Sequence, residues 1–377
     1  MKSNHFHYWP ALAVALACLG AAGPSVAVSF NATNLVTDDQ GANPAAITDP
    51  GLHNAWGLAY SPTSPFWISS NGAGTSPLYK VDPATQATTQ QGLIVTIPGA
   101  GSVTGQVFNS GNAAGAFNHD PFLFVSEDGT VSGWRGALGT HAEVIAVASA
   151  ANVYKGSAFA SVAGEGYLYA ANFRAGTIDV YKGTVAAPPL PGSFTDPNVA
   201  AGYAPFNIQK LGNTLYVTYA VQDAQKSDEI AGAGLGIVDS YDLNGNFLDR
   251  VATGGTLDAP WGLAIAPSSF GAMAGALLVG NFGDGRINAF DTTSHAFLGQ
   301  VLGANGQPLT IDGLWALSPG NGAGAGSSQL LYFTAGPDEE SHGLFGVLTP
   351  VPEPQTQALM LAGLAALGLA VRRRVGR

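Results

Sequence analysis

The chain has 377 residues and a formal net charge of −11, and charged residues make up only 10% of it. Hydrophobic residues reach 46%, which excludes an intrinsically disordered chain. Residues 1–27 and 355–377 hold five of the basic residues and no acidic ones, so the net charge of the remainder falls to −16. A surface of that sign repels nucleic acid and anionic lipid, and neither is expected as a partner.

The N-terminal segment has the three parts of a secretory signal peptide. Lys2 gives a weakly positive start, residues 11–20 form a short apolar run, and Ser25-Val26-Ala27 is a small-residue cleavage site. The run is too short for a membrane span, so we expect cleavage after Ala27. Cys18, the single cysteine, lies in this segment, and the mature chain then has no disulfide. A lipoprotein signal at Cys18 is the alternative.

The middle of the chain repeats a pattern of short strands about every fifty residues. Each unit begins with a short apolar strand near a glycine, and the starts fall near residues 57, 117, 156, 207, 262 and 313. A second strand, a polar loop and a third strand follow, with a fourth strand in several units. Four short strands at this period are typical of a propeller blade. We therefore predict an all-β, six-bladed β-propeller over residues 28–350.

Two further features of the repeat bear on this prediction. The strand from Phe30 to Val36 is free to serve as the outer strand of the last blade and to close the ring. Trp56, Trp261 and Trp315 recur at unit starts and are expected to pack in the core, although a sugar-stacking platform is the alternative. A pair of β-sandwiches would explain the turn density, but not the shared order of strands and loops.

Polar residues concentrate in two kinds of connection that share one face of a propeller. These are the loops between second and third strands, such as 222–234 and 336–343, and the connections from one blade to the next. Ligands usually bind on this face. The predicted ligand face consists of His53, Asn54, His119, Asp120, Asp223, Asp228, Glu229, Asp312, Asp338, Glu339 and His342, with Glu340 in the same loop as the last three.

A metal site is a second possibility on this face. Asn71, Glu127, Asn172 and Asn281 each follow a second strand and are predicted to occupy comparable places around the channel mouth. Their oxygen atoms suit Ca²⁺, which takes 6–8 such ligands, and Ca²⁺ is the one candidate cofactor. Asparagine is also an ordinary turn residue, which is the alternative. Neither zinc-ligand spacing nor a G-x-S-x-G nucleophile motif is present, so no catalytic residue is predicted.

The C-terminal segment, residues 351–377, has three parts. Val351-Pro352-Glu353-Pro354 comes first, an apolar run over residues 358–371 follows, and the chain closes on Arg372, Arg373, Arg374 and Arg377. As a helix with a rise of ~1.5 Å per residue, the run spans about 21 Å, short of a bilayer core of ~30 Å. Such a transmembrane helix could hold the chain briefly, with the arginines in the cytoplasm.

This tripartite end resembles the PEP-CTERM sorting signal of Gram-negative bacteria, with Pro352, Glu353 and Pro354 as its motif. The resemblance implies processing by an exosortase-type enzyme and release or attachment at the cell surface. A plain C-terminal anchor is the alternative. The repeats resemble six-bladed NHL propellers, and residues 219–234, 281–285 and 336–346 are similar to an uncharacterised bacterial propeller family often found with such tails. That resemblance implies fold and export and transfers no catalytic residue.

Three functions remain open at this point. The first is an exported binding or scaffold protein of the cell surface or extracellular matrix. The second is a Ca²⁺-dependent hydrolase that resembles propeller lactonases, with its site at the channel mouth. The third is a protein–protein module in envelope or exopolysaccharide assembly. The export signals, together with the lack of a catalytic motif, favour the first and a non-enzymatic role.

Overall fold

A computed structural model describes residues 28–352 and Gly363 of the chain. The described residues form six sheets, in which consecutive strands pair antiparallel from the inner strand outward. Neighbouring inner strands contact one another around a closed ring, with the sixth touching the first. The prediction of a six-bladed propeller is therefore confirmed. The predicted signal peptide and, apart from Gly363, the C-terminal apolar run lie outside the described residues.

The blades follow one another along the chain, and the bounds of their strands are as follows. The first three blades consist of Ala55–Ala59, Phe66–Ser70, Thr75–Val81 and Thr88–Thr96; of Val103–Phe108, Phe122–Ser126, Val131–Trp134 and Glu143–Ala146; and of Tyr154–Val162, Glu165–Asn172 and Thr177–Lys182. The last three consist of Tyr203–Leu211, Thr214–Gln222, Ile237–Tyr241 and Phe247–Thr253; of Pro260–Ile265, Leu277–Asn281, Ile287–Phe290 and Phe297–Gln300; and of Leu314–Pro319, Leu331–Ala335, Leu344–Pro350 and Ser29–Thr37.

Shorter elements lie between these strands. Two-residue strands occur at Ile47–Thr48, Glu229–Ile230 and Leu302–Gly303, and 3₁₀ turns at Asn71–Ala73, Asn112–Ala114, Ala116–His119, Gly136–Leu138 and Ser268–Met273. The described part of the chain contains no helix with the length and apolar character of a membrane span.

The N-terminal strand closes the ring as predicted. Ser29–Thr37 pairs antiparallel with Leu344–Pro350, and Phe30 faces Pro350 in the register. The backbone N–H of Val351 also donates to the carbonyl of Ser29 over 2.8 Å. The last blade is thus built from both ends of the described chain, and the ring cannot open without breaking this pairing.

Hydrophobic cores lie between the blades rather than within them. Each of six clusters combines side chains from two neighbouring blades, and one example joins Phe66 and Tyr79 of the first blade to Tyr332 and Phe345 of the sixth. A single four-stranded sheet has two faces to bury, and the neighbouring blade supplies the cover for each. Ring closure therefore completes the sixth interface.

The predicted start of the second blade is wrong. We expected it near Phe117, but the inner strand is Val103–Phe108, and Phe117 lies in the 3₁₀ turn Ala116–His119. That turn belongs to the connection between the first and second strands of the blade. The inner strand Val-Thr-Gly-Gln-Val-Phe has polar residues at two of its six positions, which concealed it beside the more apolar stretch around Phe117.

Each inner strand contains one β-bulge, which lies close to the start of the strand in every blade except the fourth. A small residue follows the bulge near the strand start. The shifts in register fall next to Trp56, Lys155 and Trp261, among others. Gly105 and Gly156 occupy positions directly after such bulges. A Cβ atom at Gly105 would lie 2.7 Å from the backbone nitrogen of Ser157 in the next blade. Glycine there allows the inner strands to approach one another near the axis.

Candidate functional site

Two ends of the propeller can be told apart from the strand directions. We call the upper face the one that carries the loops between second and third strands, and the lower face the one that carries the hairpins between first and second strands. Inner strands begin at the upper face. The bulged residues Trp56, Lys155, Phe206, Trp261 and Trp315 therefore lie toward the upper end of the axis.

Aromatic side chains from several blades fill the axis and form a plug. Trp315 lies at its centre, with the ring of Trp56 stacked 3.6 Å away and the ring of Phe282 stacked 4.1 Å away. Trp261 contacts the Trp315 ring edge-on at 5.9 Å, and Phe206 packs at the same distance. The tryptophans act as packing residues, as predicted, and the axis is not an open bore at this level.

Lys155 replaces an aromatic side chain in this layer. Its side chain is 1% exposed, and its Nζ atom lies 5.1 Å from the centre of the Trp56 ring. The ammonium donates to Glu127 Oε1 over 2.6 Å and to Asp228 Oδ1 over 2.9 Å. A buried ammonium needs such partners, because its transfer from water is otherwise strongly unfavourable. Lys155 is therefore the buried centre of an ion cluster on the upper face.

Amide side chains extend this cluster toward the first and sixth blades. Asn71 Nδ2 donates to Glu127 Oε2 over 3.1 Å, and Asn54 Nδ2 donates to Glu340 Oε2 over 3.0 Å. Asn54 Oδ1 in turn accepts from the Trp315 indole over 2.8 Å, which ties the cluster to the plug. We refer to Asn54, Asn71, Glu127, Lys155, Asp228, Glu229 and Glu340 as the hub cluster.

The hub cluster is rich in carboxylates, and burial changes their protonation. Burial and repulsion from Glu229 raise the pKa of Glu340 to about 7. Burial also raises the pKa of Glu229, although the nearby Lys155 ammonium opposes the shift. Burial alone would lower the pKa of Lys155, but attraction to Glu127, Glu229 and Asp228 outweighs it and the pKa rises. The ammonium therefore stays charged, while Glu340 exchanges its proton near neutral pH.

Backbone conformation helps to hold Glu340 in place. Asp338, Glu339 and Glu340 all have positive φ angles, of 56°, 51° and 64°. Three successive non-glycine residues in the left-handed region are costly, and such strain is found mainly at functional sites. The loop that carries Glu340 is fixed at its base, where Asp312 Oδ2 accepts from the backbone N–H of Asp338 over 2.9 Å.

The predicted metal residues do not form one ring. Asn71 and Glu127 meet on the axis side, but Asn172 and Asn281 are one register position earlier, as the last residues of their second strands. Because side chains alternate along a strand, the one-residue difference points the side chains of Asn172 and Asn281 toward residues of their own blades instead of toward the axis. Asn172 donates to Asp179 Oδ2 over 2.8 Å, and Asn281 to Asp284 Oδ1 over 2.8 Å.

The donor set at the axis does not suit Ca²⁺. Each oxygen of Glu127 already accepts a hydrogen bond, one from Lys155 and one from Asn71. The Lys155 ammonium lies where a cation would approach these oxygens and would repel it. Among the described residues, no group of three or more histidine, aspartate or glutamate side chains has an arrangement that could hold a metal ion.

Most of the predicted ligand face does lie on the upper face. Residues of upper loops or inter-blade connections are His53, Asn54, Asp223, Asp228, Glu229, Asp312, Asp338, Glu339 and His342. Asn54, Asp228 and Glu229 belong to the hub cluster. Asp223 instead stabilises its own loop, where its Oδ1 accepts from the backbone N–H of Ser227 over 2.8 Å.

The prediction that His119 and Asp120 belong to the ligand face is wrong. They lie in the connection between the first and second strands of the second blade, which is on the lower face. The error follows from the misplaced start of that blade. Asp120 forms an ion pair there with Arg135 at 2.8 Å, and Arg135 also pairs with Glu143 at 2.7 Å.

Two residues of the upper face escaped the sequence analysis. The sequence pattern predicts Lys155 only as part of a strand. Its charge is the available signal, because lysine at a position that is aromatic or small in other blades is unusual. Asp38 has no such signal. Its carboxylate lies 2.9 Å from His342 Nδ1 and 3.5 Å from His53 Nδ1, and the hydrogen bond raises the pKa of His342.

Comparison with known proteins places these features in a class and a family. The molecule is a six-bladed β-propeller, and residues 350–374 match the PEP-CTERM protein-sorting motif. The chain is 32% identical over 346 residues to uncharacterized protein R648 of Acanthamoeba polyphaga mimivirus. This alignment covers 86% of this chain and 81% of R648. The chain therefore belongs to the same family as R648. Uncharacterized protein L690 of the same virus is 28% identical over 348 residues, covering 86% of this chain and 87% of L690.

A solved structure supports the fold alone. The α-L-arabinofuranosidase arb93a of Fusarium graminearum, in complex with an iminosugar inhibitor, superposes with a TM-score of 0.52 at 12% sequence identity. The match covers 85% of this chain and 98% of that enzyme. The sorting motif indicates export to the envelope or cell surface, and such motifs are processed by exosortase-type enzymes.

Proposed function

We propose that the chain is an exported binding or scaffold propeller of a Gram-negative cell surface or extracellular matrix, and that it binds a cationic ligand on its upper face. The observation that carries the proposal is the hub cluster, in which side chains from five blades converge on Lys155. Four carboxylates surround this single ammonium, so the cluster keeps an excess of negative charge even when Glu340 is protonated. Asp228, whose side chain is 70% exposed, is its outermost member.

The pairing within the hub cluster favours binding over catalysis. Glu127, Asp228 and Glu340 each contact another side chain of the protein. These contacts fix the directions of the carboxylates before any ligand arrives. The misfit of the calcium donor set argues in the same direction, against a lactonase-like hydrolase. A preorganised, acidic surface is what a binding protein for a cationic partner requires.

The position of the chain ends supports an outward-facing upper surface. Phe30 and Pro350 are paired at the lower end of the last blade, since Leu344–Pro350 runs from the upper to the lower face. The sorting tail begins directly after Pro350 and leaves from that end. A chain held by its tail would therefore present the upper face away from the membrane, toward exopolysaccharide or envelope proteins.

The test compares binding of the full chain and its variants to extracellular matrix prepared from the secreting cells. In Asp228→Asn/Glu229→Gln, two carboxylates of the hub cluster become neutral while their shape is kept. We expect about a tenfold weaker co-sedimentation, a loss of ~1.4 kcal/mol. Added salt should weaken the binding of the wild-type chain, because the outer carboxylates are exposed.

The matched control is Asp249→Asn, which removes an exposed carboxylate from a fourth strand away from the hub cluster. This variant should bind like the wild type. Equal losses in the control and in the double variant would show that only net charge matters, and unchanged binding of the double variant would refute the role of the hub cluster.

A further inference from the structure

A recess opens on the axis from the lower face, on the other side of the aromatic plug from the hub cluster. Its volume is about 250 Å³, and inner strands of five blades form its wall. It narrows inward toward Trp261 and Asn207 at the base of the plug. Small-molecule sites commonly measure ~300–1,000 Å³, so this recess is sized for one small ligand.

The charge of the wall is unusual for this chain. Lys210 is the one charged residue among the lining side chains, and none of them is a carboxylate. The net charge of the chain outside its terminal segments is −16, so an anion is repelled from most of the surface. A recess whose wall includes a lysine and no carboxylate is a local exception, and it favours an anionic ligand.

Neutral polar groups in the recess are available for hydrogen bonds. Ser157 is 5% exposed, and its buried Oγ atom has no hydrogen-bond partner within the described residues. A buried hydroxyl without a partner is unfavourable, so a ligand that supplies a hydrogen bond to it is favoured. Gln106 is different, because its amide already donates to the carbonyl of Gly57 over 2.9 Å and accepts from Ser76 over 3.0 Å.

Apolar side chains complete the wall. Leu58, Phe108 and Phe159 line the recess together with Tyr60, whose hydroxyl donates to the carbonyl of Pro319 over 2.7 Å. The combination of an ammonium, a free hydroxyl and apolar surface matches a ring with hydroxyl groups on its edge and a carboxylate at one end. A metal cation or an amine would meet the Lys210 ammonium and no carboxylate.

We propose that the lower recess binds a single small hydroxycarboxylate of the size of a hexuronic acid. Lys210 holds the carboxylate, Ser157 Oγ and the Gln209 amide bind ring hydroxyls, and Phe108 and Phe159 contact the apolar face of the ring. The site is separate from the hub cluster, which the plug divides from it. The proposal therefore stands or falls independently of ligand binding on the upper face.

The experiment is a calorimetric titration of the full chain with glucuronate and, in parallel, with glucose. We expect glucuronate to bind with a Kd below ~1 mM and about tenfold more tightly than glucose, since only glucuronate has the carboxylate. Lys210→Met should remove this preference by weakening glucuronate about tenfold while leaving glucose unchanged. Ser157→Ala should weaken both sugars.

The control is Lys80→Met, which removes a lysine from a third strand of the first blade, outside the recess. This variant should bind both sugars like the wild type. A melting curve of each variant establishes that it is folded. Failure of glucuronate to bind, equal binding of glucuronate and glucose, or an unchanged preference in folded Lys210→Met would each overturn the proposal.

Discussion

Lys155 shows how much chemistry depends on a single register position. It occupies the bulged position that holds Trp56, Trp261 and Trp315 in other blades, so its ammonium enters the layer of the plug. The repeat could be recognised from the sequence, and it gave the strand to which Lys155 belongs. The partners Glu127 and Asp228 come from other blades, however, and local sequence carries no information on which loops meet across the axis.

The first prediction concerns Lys155→Met, which keeps much of the side-chain volume and removes the charge. Glu127, Glu229 and Glu340 then face one another without the ammonium. Breaking a buried ion pair from one side commonly costs 3–5 kcal/mol, and the exposure of Asp228 places this case near the lower limit, at about 3 kcal/mol. Urea unfolding at about pH 8 would measure the loss.

The same variant should depend on pH in a defined direction. The folded-state pKa of Glu340, raised to about 7, lies above that of the unfolded chain, so its contribution to stability is full at low pH and is lost as the pH rises through 7. Protons can replace the missing ammonium. The difference between the variant and the wild type should therefore shrink at about pH 5. A difference that stays constant from acidic to alkaline pH would contradict this account of the hub cluster.

At the level of the strands, sequence patterns worked where apolar character and alternation coincide. Every predicted second and third strand is present. Their residues either alternate between apolar and polar side chains, as in Ile287-Asn288-Ala289, or form short apolar runs between turns, as in Leu215-Tyr216-Val217. The prediction failed for the inner strand of the second blade, where Thr104 and Gln106 interrupt the apolar pattern. Gln106 is buried because its amide binds backbone groups of the first blade, a contact that only the assembled ring provides.

The glycine after the inner-strand bulge is the basis of a prediction at this scale. In Gly105→Ala, the new methyl group would lie 2.7 Å from the Ser157 nitrogen and 2.8 Å from the Gly156 carbonyl carbon. Both are backbone atoms of the neighbouring blade and have little freedom to move. We expect a loss of about 2–3 kcal/mol, the cost of overpacking a tight interior.

Gly92→Ala is the matched control, because Gly92 also lies in a strand and a Cβ atom there has no neighbour within 4 Å. It should be neutral or slightly stabilising, since alanine reduces the entropy of the unfolded chain. Chemical denaturation of the two variants side by side gives the comparison. Equal stability of Gly105→Ala and the wild type would show that the blades are not in close contact at the axis.

On the scale of the whole molecule, ring closure decides the direction in which the sorting tail leaves. The pairing of Ser29–Thr37 with Leu344–Pro350 puts both ends of the propeller at the lower face. The closing strand could be predicted from the sequence, since Phe30 to Val36 had no place in the six repeats. The orientation of the faces relative to the tail could not, because it requires knowing at which end each strand begins.

The last prediction tests this orientation on spheroplasts, cells from which the outer membrane has been removed. Glu353→Ala alters the sorting motif and should leave the chain tethered by its uncleaved tail. In that background, Gln225→Cys places a thiol in an exposed upper loop and Asn213→Cys places one in an exposed lower hairpin of the same blade. Cys18 is the only natural cysteine and lies in the predicted signal peptide, so each variant carries a single label site once the signal is removed.

A bulky, membrane-impermeant maleimide should react several times faster with Gln225→Cys than with Asn213→Cys, because the lower face lies against the membrane. After solubilisation in detergent, the two thiols should react at similar rates, which controls for their intrinsic reactivity. Equal labelling on spheroplasts, or faster labelling of Asn213→Cys, would show that the upper face does not point outward. The hub cluster would then be turned away from the matrix that we propose it binds, and the lower recess would be the face presented to the surroundings.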